Sequence, residues 1–203
     1  MKSSGWSPTN ISKKSESLPP TGGPDFSRPP AANFSSALAP EVRVAKPPHD
    51  YSPARTNSYF VTAKTWQSVP LFQSSRVADL FLRTLFAYRD QGKFHVHEFV
   101  LMPDHLHILL TPGPHTTLER VLQLIKGGFS HRAGKELELR REIWQRGYVD
   151  HRIRDGQDYA YHRVYVHQNP VRANLAVAAQ NYPYCSAFPG FRLDPAPQGL
   201  KPD

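Results

Sequence analysis

Ten histidines sit in the 203-residue chain, and four of them form two His-x-His pairs, His95-Val96-His97 and His105-Leu106-His107. Chance placement gives roughly half a pair in this length, so the spacing alone says little. Context separates the two. His105 and His107 open the run His-Leu-His-Ile-Leu-Leu. Strand alternation then puts both imidazoles on one face and Leu106, Ile108 and Leu110 on the other. Two imidazoles projecting together are half of a divalent-metal site that needs one or two further ligands. They also fit two surface histidines on a half-exposed strand. His97 has the parity of Phe99 and Leu101, the core side, so the first pair reads as structural or rim histidines.

A second group lies near Asn169. Tyr161, Tyr165 and Asn169 are spaced i, i+4, i+8 and share one helical face. Such tyrosines are commonly core aromatics. The alternative is a nucleophilic phenol one turn before an amide oxygen that can touch a metal. With a pKa near 10, a phenol needs a neighbouring cation or base to act.

These residues require a scaffold. Tyr59 to Lys64 is β-branched and aromatic, a strand. Residues 75–91 suit a helix, with Val77, Leu80, Phe81, Leu85 and Tyr88 inward and Gly92 as stop. Residues 94–102 and 105–111 form a hairpin about Pro103-Asp104, which sets Val100 and Met102 opposite His107 and His105. Thr116-x-x-Glu119 resembles a capping box. It opens a helix that buries Val121, Leu122, Ile125 and Phe129. Residues 145–153 make a last strand. Asp155 caps a final helix ending near Gln168, because Pro170 disfavours helical geometry at Asn169. The order predicts an α+β, ferredoxin-like (RRM-like) antiparallel sheet. Its helices pack on one face, the histidine site lies on the other, and a C-terminal helix carries the tyrosine.

Composition bounds the rest. Ten of the 20 prolines fall within residues 1–58, while 59–182 hold five. Residues 1–57 therefore read as a disordered Pro/Ser-rich segment, 58–190 as the domain and 191–203 as a disordered tail. No apolar run is long enough to span a membrane. The N-terminus has no apolar signal-peptide core, and a cytoplasmic protein is the simplest reading. A single cysteine, Cys185, excludes an internal disulfide framework and any site built from several thiolates. The net charge is +8. Residues 120–172 hold 11 Lys/Arg against 6 Asp/Glu, while 59–119 balance at 5 against 5. A one-sided basic surface suits a polyanion, and equally a solvated surface.

At this point the residues match a pattern. Leu101-Met102-Pro103-Asp104-His105-Leu106-His107 resembles the MPxHxH strand of the single-tyrosine HUH transposases. The stretch from Ile143 to Asp155, Tyr165-x-x-x-Asn169-Pro170-x-Arg172-Ala173, and Tyr182-Pro183-Tyr184-Cys185-Ser186 are similar to segments of its REP-associated tyrosine transposase branch. The resemblance covers about 59–188 in consistent order. Asp104 stands where Asn is more usual, and Tyr184 where Trp is.

The resemblance implies His105 and His107 as metal ligands, Asn169 as a third, and Tyr165 as nucleophile. It implies Mg²⁺ or Mn²⁺ as cofactor. The expected partner is single-stranded or hairpin DNA, cut and rejoined through a 5′-phosphotyrosine. Lys126, Arg146, His151, Arg152 and Arg154 become expected DNA contacts, with Arg140 and Arg141 as further phosphate contacts. Two rivals stand beside this. One is a non-catalytic single-stranded nucleic-acid-binding module. The other is a metallohydrolase using His95, His97, His105 and His107. The sequence admits a monomer or a dimer.

Overall fold

The computed structural model describes residues 57–200. The Pro/Ser-rich segment expected over 1–57 lies almost wholly outside the described residues. Seven main elements follow in order: β1 (Tyr59–Lys64), α1 (Ser75–Asp90), β2 (Phe94–Met102), β3 (His105–Pro112), α2 (Leu118–Glu136), β4 (Val149–Arg152) and α3 (Gly156–Arg172). The strands form one sheet in the order β2-β3-β1-β4, with every neighbouring pair antiparallel.

Alternation divides the sheet's faces. Val61 and Ala63 of β1, and Leu106, Ile108 and Leu110 of β3, enter the main core with α1 and α2. Phe72, Phe81, Phe129 and Trp144 meet there as an aromatic cluster, with Phe72–Phe81 centroids 5.2 Å apart. Truncating Phe129 to Ala would cost about 3–5 kcal/mol. Gly128 lets the helices close up: a Cβ there would lie 2.5 Å from the Tyr88 ring. The opposite face carries Val100, Met102 and Leu109, and α3 packs on it through Tyr159, His162 and Val166.

Several boundaries differ from the sequence reading. The α2 N-cap is Thr117, whose side chain accepts from the Arg120 amide, not Thr116. β4 shortens to four residues; the chain before it meets the end of β1 through an isolated bridge between Trp144 and Thr65 and a bond from the Gln145 amide to the Lys64 carbonyl at 2.9 Å. Helix α3 runs past Gln168 to Arg172 with Pro170 inside it. A proline forfeits one i→i−4 bond. Here that loss falls in the last turn, where Asn169 Nδ2 donates to the Tyr165 carbonyl.

β2 is an edge strand, and an exposed edge invites pairing with other chains. The segment Tyr182–Ser186 covers it. Leu101 donates to the Tyr184 carbonyl at 2.8 Å, and Ser186 donates to the Phe99 carbonyl at 2.8 Å. The packing continues past Gly190, where the sequence reading ended the domain. Phe191 stacks on Phe86, and Asp194 accepts from Arg89 Nε at 2.9 Å and from the Val96 amide at 2.8 Å.

Candidate active site

The site lies on the α3 side of the sheet. Val100 pairs with His107 and Met102 with His105, the register that the tight turn implied. His105 and His107 project together, with ring centroids 4.6 Å apart. Each has one nitrogen engaged. His105 Nδ1 donates to Asp104 Oδ1 at 2.6 Å. His107 Nδ1 and Thr62 Oγ1 share a hydrogen bond of 2.8 Å. Ligating histidines are commonly held in this way by a partner on the other ring nitrogen. A carboxylate only accepts, so Nδ1 is the donor and Nε2 is the nitrogen turned away from Asp104. Burial, with His105 and Lys64 as further causes, pushes His107 down to about 3 and keeps it neutral. Two imidazoles with anchored Nδ1 atoms are a pair that could hold a divalent cation.

α3 brings the tyrosine. Its Asp155 N-cap accepts from the Asp158 amide at 2.8 Å, and Val166 and Pro170 bury against the sheet side. The Tyr165 ring then meets the His107 ring edge-on, centroids 5.2 Å apart. Phe60 supports both, stacking on His107 and meeting Tyr165 at 90°. The helix's other two tyrosines go elsewhere. Tyr159 is buried with Leu109 and Ile153, and burial raises its phenol to about 12. Tyr161 is half exposed and contacts His162. Asn169 sits one turn beyond Tyr165 and its amide nitrogen donates to the Tyr165 carbonyl at 2.8 Å, so its oxygen is among the groups that could hold a cation.

The first His-x-His pair behaves structurally, but on the unexpected face. A bulge between Val96 and Glu98 inserts one residue and reverses parity. His97 is buried toward α3. Its Nε2 lies 2.7 Å from Thr111 Oγ1, and its ring lies 6.3 Å from that of Tyr159. Burial lowers its pKa. His95 is exposed and lies 3.6 Å from Asp194.

The expected DNA contacts divide. Arg146 and Arg152 are exposed. Arg154 is exposed too and reaches Asp158 at 3.3 Å. Lys126 is half-buried instead: its Nζ donates to the Gln145 and Gly147 carbonyls at 2.8 and 2.7 Å, which fixes the loop bearing Arg146. His151 Nε2 donates to both Asp158 oxygens and stacks on His162. His151, Asp158 and His162 lie close enough to hold an ion. Asp158 already accepts from His151, the Arg154 amide and the Arg154 guanidinium, so protein donors satisfy it. The cluster ties β4 to the start of α3.

Sequence reasoning missed Glu98. It is buried in β2 and meets Arg163 at 2.9 Å, His167 at 2.9 Å and Ser186 Oγ at 2.6 Å. Burial pushes its carboxyl up, but the hydrogen bonds and charges of these partners outweigh that and hold it low. Arg163 and His167 flank Tyr165 on α3, so this carboxylate pins the tyrosine helix to the sheet. No local signal marks it, since its partners lie 65 or more residues away.

A family model described as "Transposase IS200 like" matches residues 58–169. A REP-associated tyrosine transposase of Escherichia coli (strain K12) is 29% identical over 110 residues, covering 54% of this chain and 61% of that protein. The match thus spans under two thirds of that relative. A solved REP-associated tyrosine transposase bound to a REP hairpin is similar in fold, with a TM-score of 0.57 and 20% identity over 70% of this chain and 82% of that one. Among the described residues no helix is long and apolar enough to cross a membrane. The matched span takes in more than half of the chain, with the His105/His107 strand, Tyr165 and Asn169 inside it, and the chain belongs to the IS200-like transposase family.

Proposed function

We propose that this protein cuts and rejoins single-stranded DNA at a hairpin through a covalent tyrosine intermediate. The observation that carries the reading is the edge-on contact of Tyr165 with His107. The strand order, equivalent to 4-1-3-2, supports a ferredoxin-like scaffold. His105 and His107 through Nε2, and Asn169 through Oδ1, are the groups that would hold Mg²⁺ or Mn²⁺. Such an ion, when bound, polarises a non-bridging oxygen of the scissile phosphate.

The chain's residues do the rest. The Tyr165 oxygen attacks phosphorus, and its proton passes to solvent. A phenol–phosphorus bond forms and the bond to the 3′-oxygen breaks. That oxygen takes up a proton and leaves as a 3′-OH, so the 5′ side stays on the protein. Attack by a 3′-OH, from the same or another strand, reverses the step and releases Tyr165 without ATP. Phe60 and the Glu98 clamp hold the phenol in place. Arg146, Arg152 and Arg154 supply cationic contacts to the backbone, and Lys126 and His151 act one step back by fixing the segments that carry them. The cytoplasm is the compartment where such DNA is met.

The test is cleavage of a labelled hairpin oligonucleotide with single-stranded flanks, with Mn²⁺ or with chelator. Cleavage with a protein-linked product only when the ion is present supports the reading. Binding without cleavage favours the binding module. Free cleaved product without an adduct favours the hydrolase.

A further inference from the structure

Residues 65–71, between β1 and α1, and residues 141–143, between α2 and β4, line a cleft that includes none of His105, His107 and Tyr165. It holds about 240 Å³. Its floor is apolar, with Leu71 and Ile143 buried, and Trp66 stands at the rim, 37% exposed. Gln67, Arg141 and Glu142 add an amide, a guanidinium and a carboxylate to the lining. All three are exposed.

The backbone here is strained. Gln67 and Ser68 have φ of 51° and 54°, the left-handed region that residues with a Cβ rarely adopt. Such strain persists where surroundings over-determine it, and it gathers at ligand-binding segments. The surroundings are visible. Trp66 donates to the Ile143 carbonyl at 2.8 Å, and Thr65 donates through both its amide and its hydroxyl to the Asp104 carbonyl at 2.8 Å. Asp104 is also the residue that holds His105 Nδ1. Lys64, next to Thr65, is the cross-strand partner of His105. The cleft is thus joined through two residues to the histidine pair.

Clefts for drug-sized molecules run roughly 300–1,000 Å³, so this one takes a single ring system. An exposed indole beside an apolar floor suits a flat aromatic ring. Edge groups that both donate and accept suit a nucleobase. A base held in a duplex cannot enter, whereas an unpaired one can.

We propose that this cleft takes one unpaired base of the DNA strand, close to the scissile phosphate. The ring stacks on Trp66, and Gln67, Glu142 and Arg141 read its edge. The proposal rests on the strand-transfer reading and gives the protein base preference at one position outside any hairpin.

The test walks a single abasic nucleotide along the flanks of a hairpin oligonucleotide taken from palindromic repeats beside the protein's own gene. Binding and adduct formation are measured for the full chain with Mn²⁺. In wild type, one flank position should lose roughly tenfold in affinity when its base is removed. In Trp66→Ala, intact DNA should bind about tenfold more weakly, and that abasic site should cost nothing more. Trp66→Phe should restore most of the difference. If Trp66→Ala no longer melts cooperatively, Gln67→Ala is read against the same walk. DNA that is bound and cut, with an abasic profile unchanged by these substitutions, overturns the cleft alone. Failure of wild type to bind or cut any of these oligonucleotides overturns the strand-transfer reading and the cleft with it.

Discussion

The ring of Tyr165 meets the ring of His107 at 76°, with centroids 5.2 Å apart. One side chain comes from the middle of α3 and the other from the central strand β3. Their meeting depends on α3 lying across the open face of the sheet. Phe60 packs against both, and Glu98 ties the helix down on either side of Tyr165.

Glu98 should therefore act on the rate of covalent attack more than on DNA binding. Glu98→Ala leaves His167, Ser186 and the half-exposed Arg163 without their shared acceptor. With that exposure discounted, about 1–3 kcal/mol of stability should be lost. The rate of adduct formation should fall at least tenfold with little change in DNA affinity. Equal losses in affinity and rate would place Glu98 in DNA binding instead.

The two His-x-His pairs should separate by function. His105→Ala should abolish cleavage and leave DNA binding mostly intact. His97→Ala should lower the melting temperature, because it empties the buried space of the ring and leaves Thr111 Oγ1 with Ser58 alone, at about 1–3 kcal/mol. Its adduct yield below that temperature should stay near normal. Equal loss of cleavage in both variants would move the chemistry to a four-histidine site.

Acid should destabilise the fold through two sets of groups. Burial lowers His97, His107 and His162 from their ordinary value near 6.5. The unfolded chain thus takes up protons first, and stability falls as pH drops below about 6.5. Glu98, Asp158 and Asp194 are held below the ordinary carboxylate range, because hydrogen bonds and nearby cations outweigh the opposing effect of burial. Their contribution is present above about pH 4 and is lost below it. Thermal melts should show a decline that begins near pH 6.5 and steepens below 4. A melting temperature that rises on acidification would contradict these assignments.

Removal of residues 191–203 should cost stability as well. It deletes the Asp194 bonds to Arg89 and to the β2 backbone and uncovers part of that strand. The shortened protein should melt several degrees lower and self-associate more readily, as read by light scattering. An unchanged melt would show that these contacts contribute little.

Much of this was legible beforehand. Strand alternation and one tight turn set His105 and His107 on a common face with the correct partners, Met102 and Val100. Helical spacing set Tyr165 one turn before Asn169. The parity of His97 was not legible, because one bulged residue reverses every side chain before it. Glu98 escaped notice because a carboxylate inside an apolar strand signals nothing until its partners on α3 are known. The 191–200 stretch looks like a tail by composition, yet one carboxylate, Asp194, docks it.

The most direct measurement of the central claim is where DNA becomes attached. The protein is incubated with Mn²⁺ and hairpin oligonucleotide, denatured, treated with nuclease and digested with trypsin. Trypsin separates the tyrosines, since Tyr159 and Tyr161 fall in the peptide Asp155–Arg163 and Tyr165 falls in Val164–Arg172. Mass spectrometry should find the nucleotide mass on Val164–Arg172 in wild type and on neither peptide in Tyr165→Phe. A nucleotide on Asp155–Arg163, or an adduct that survives in Tyr165→Phe, would contradict Tyr165 as the nucleophile.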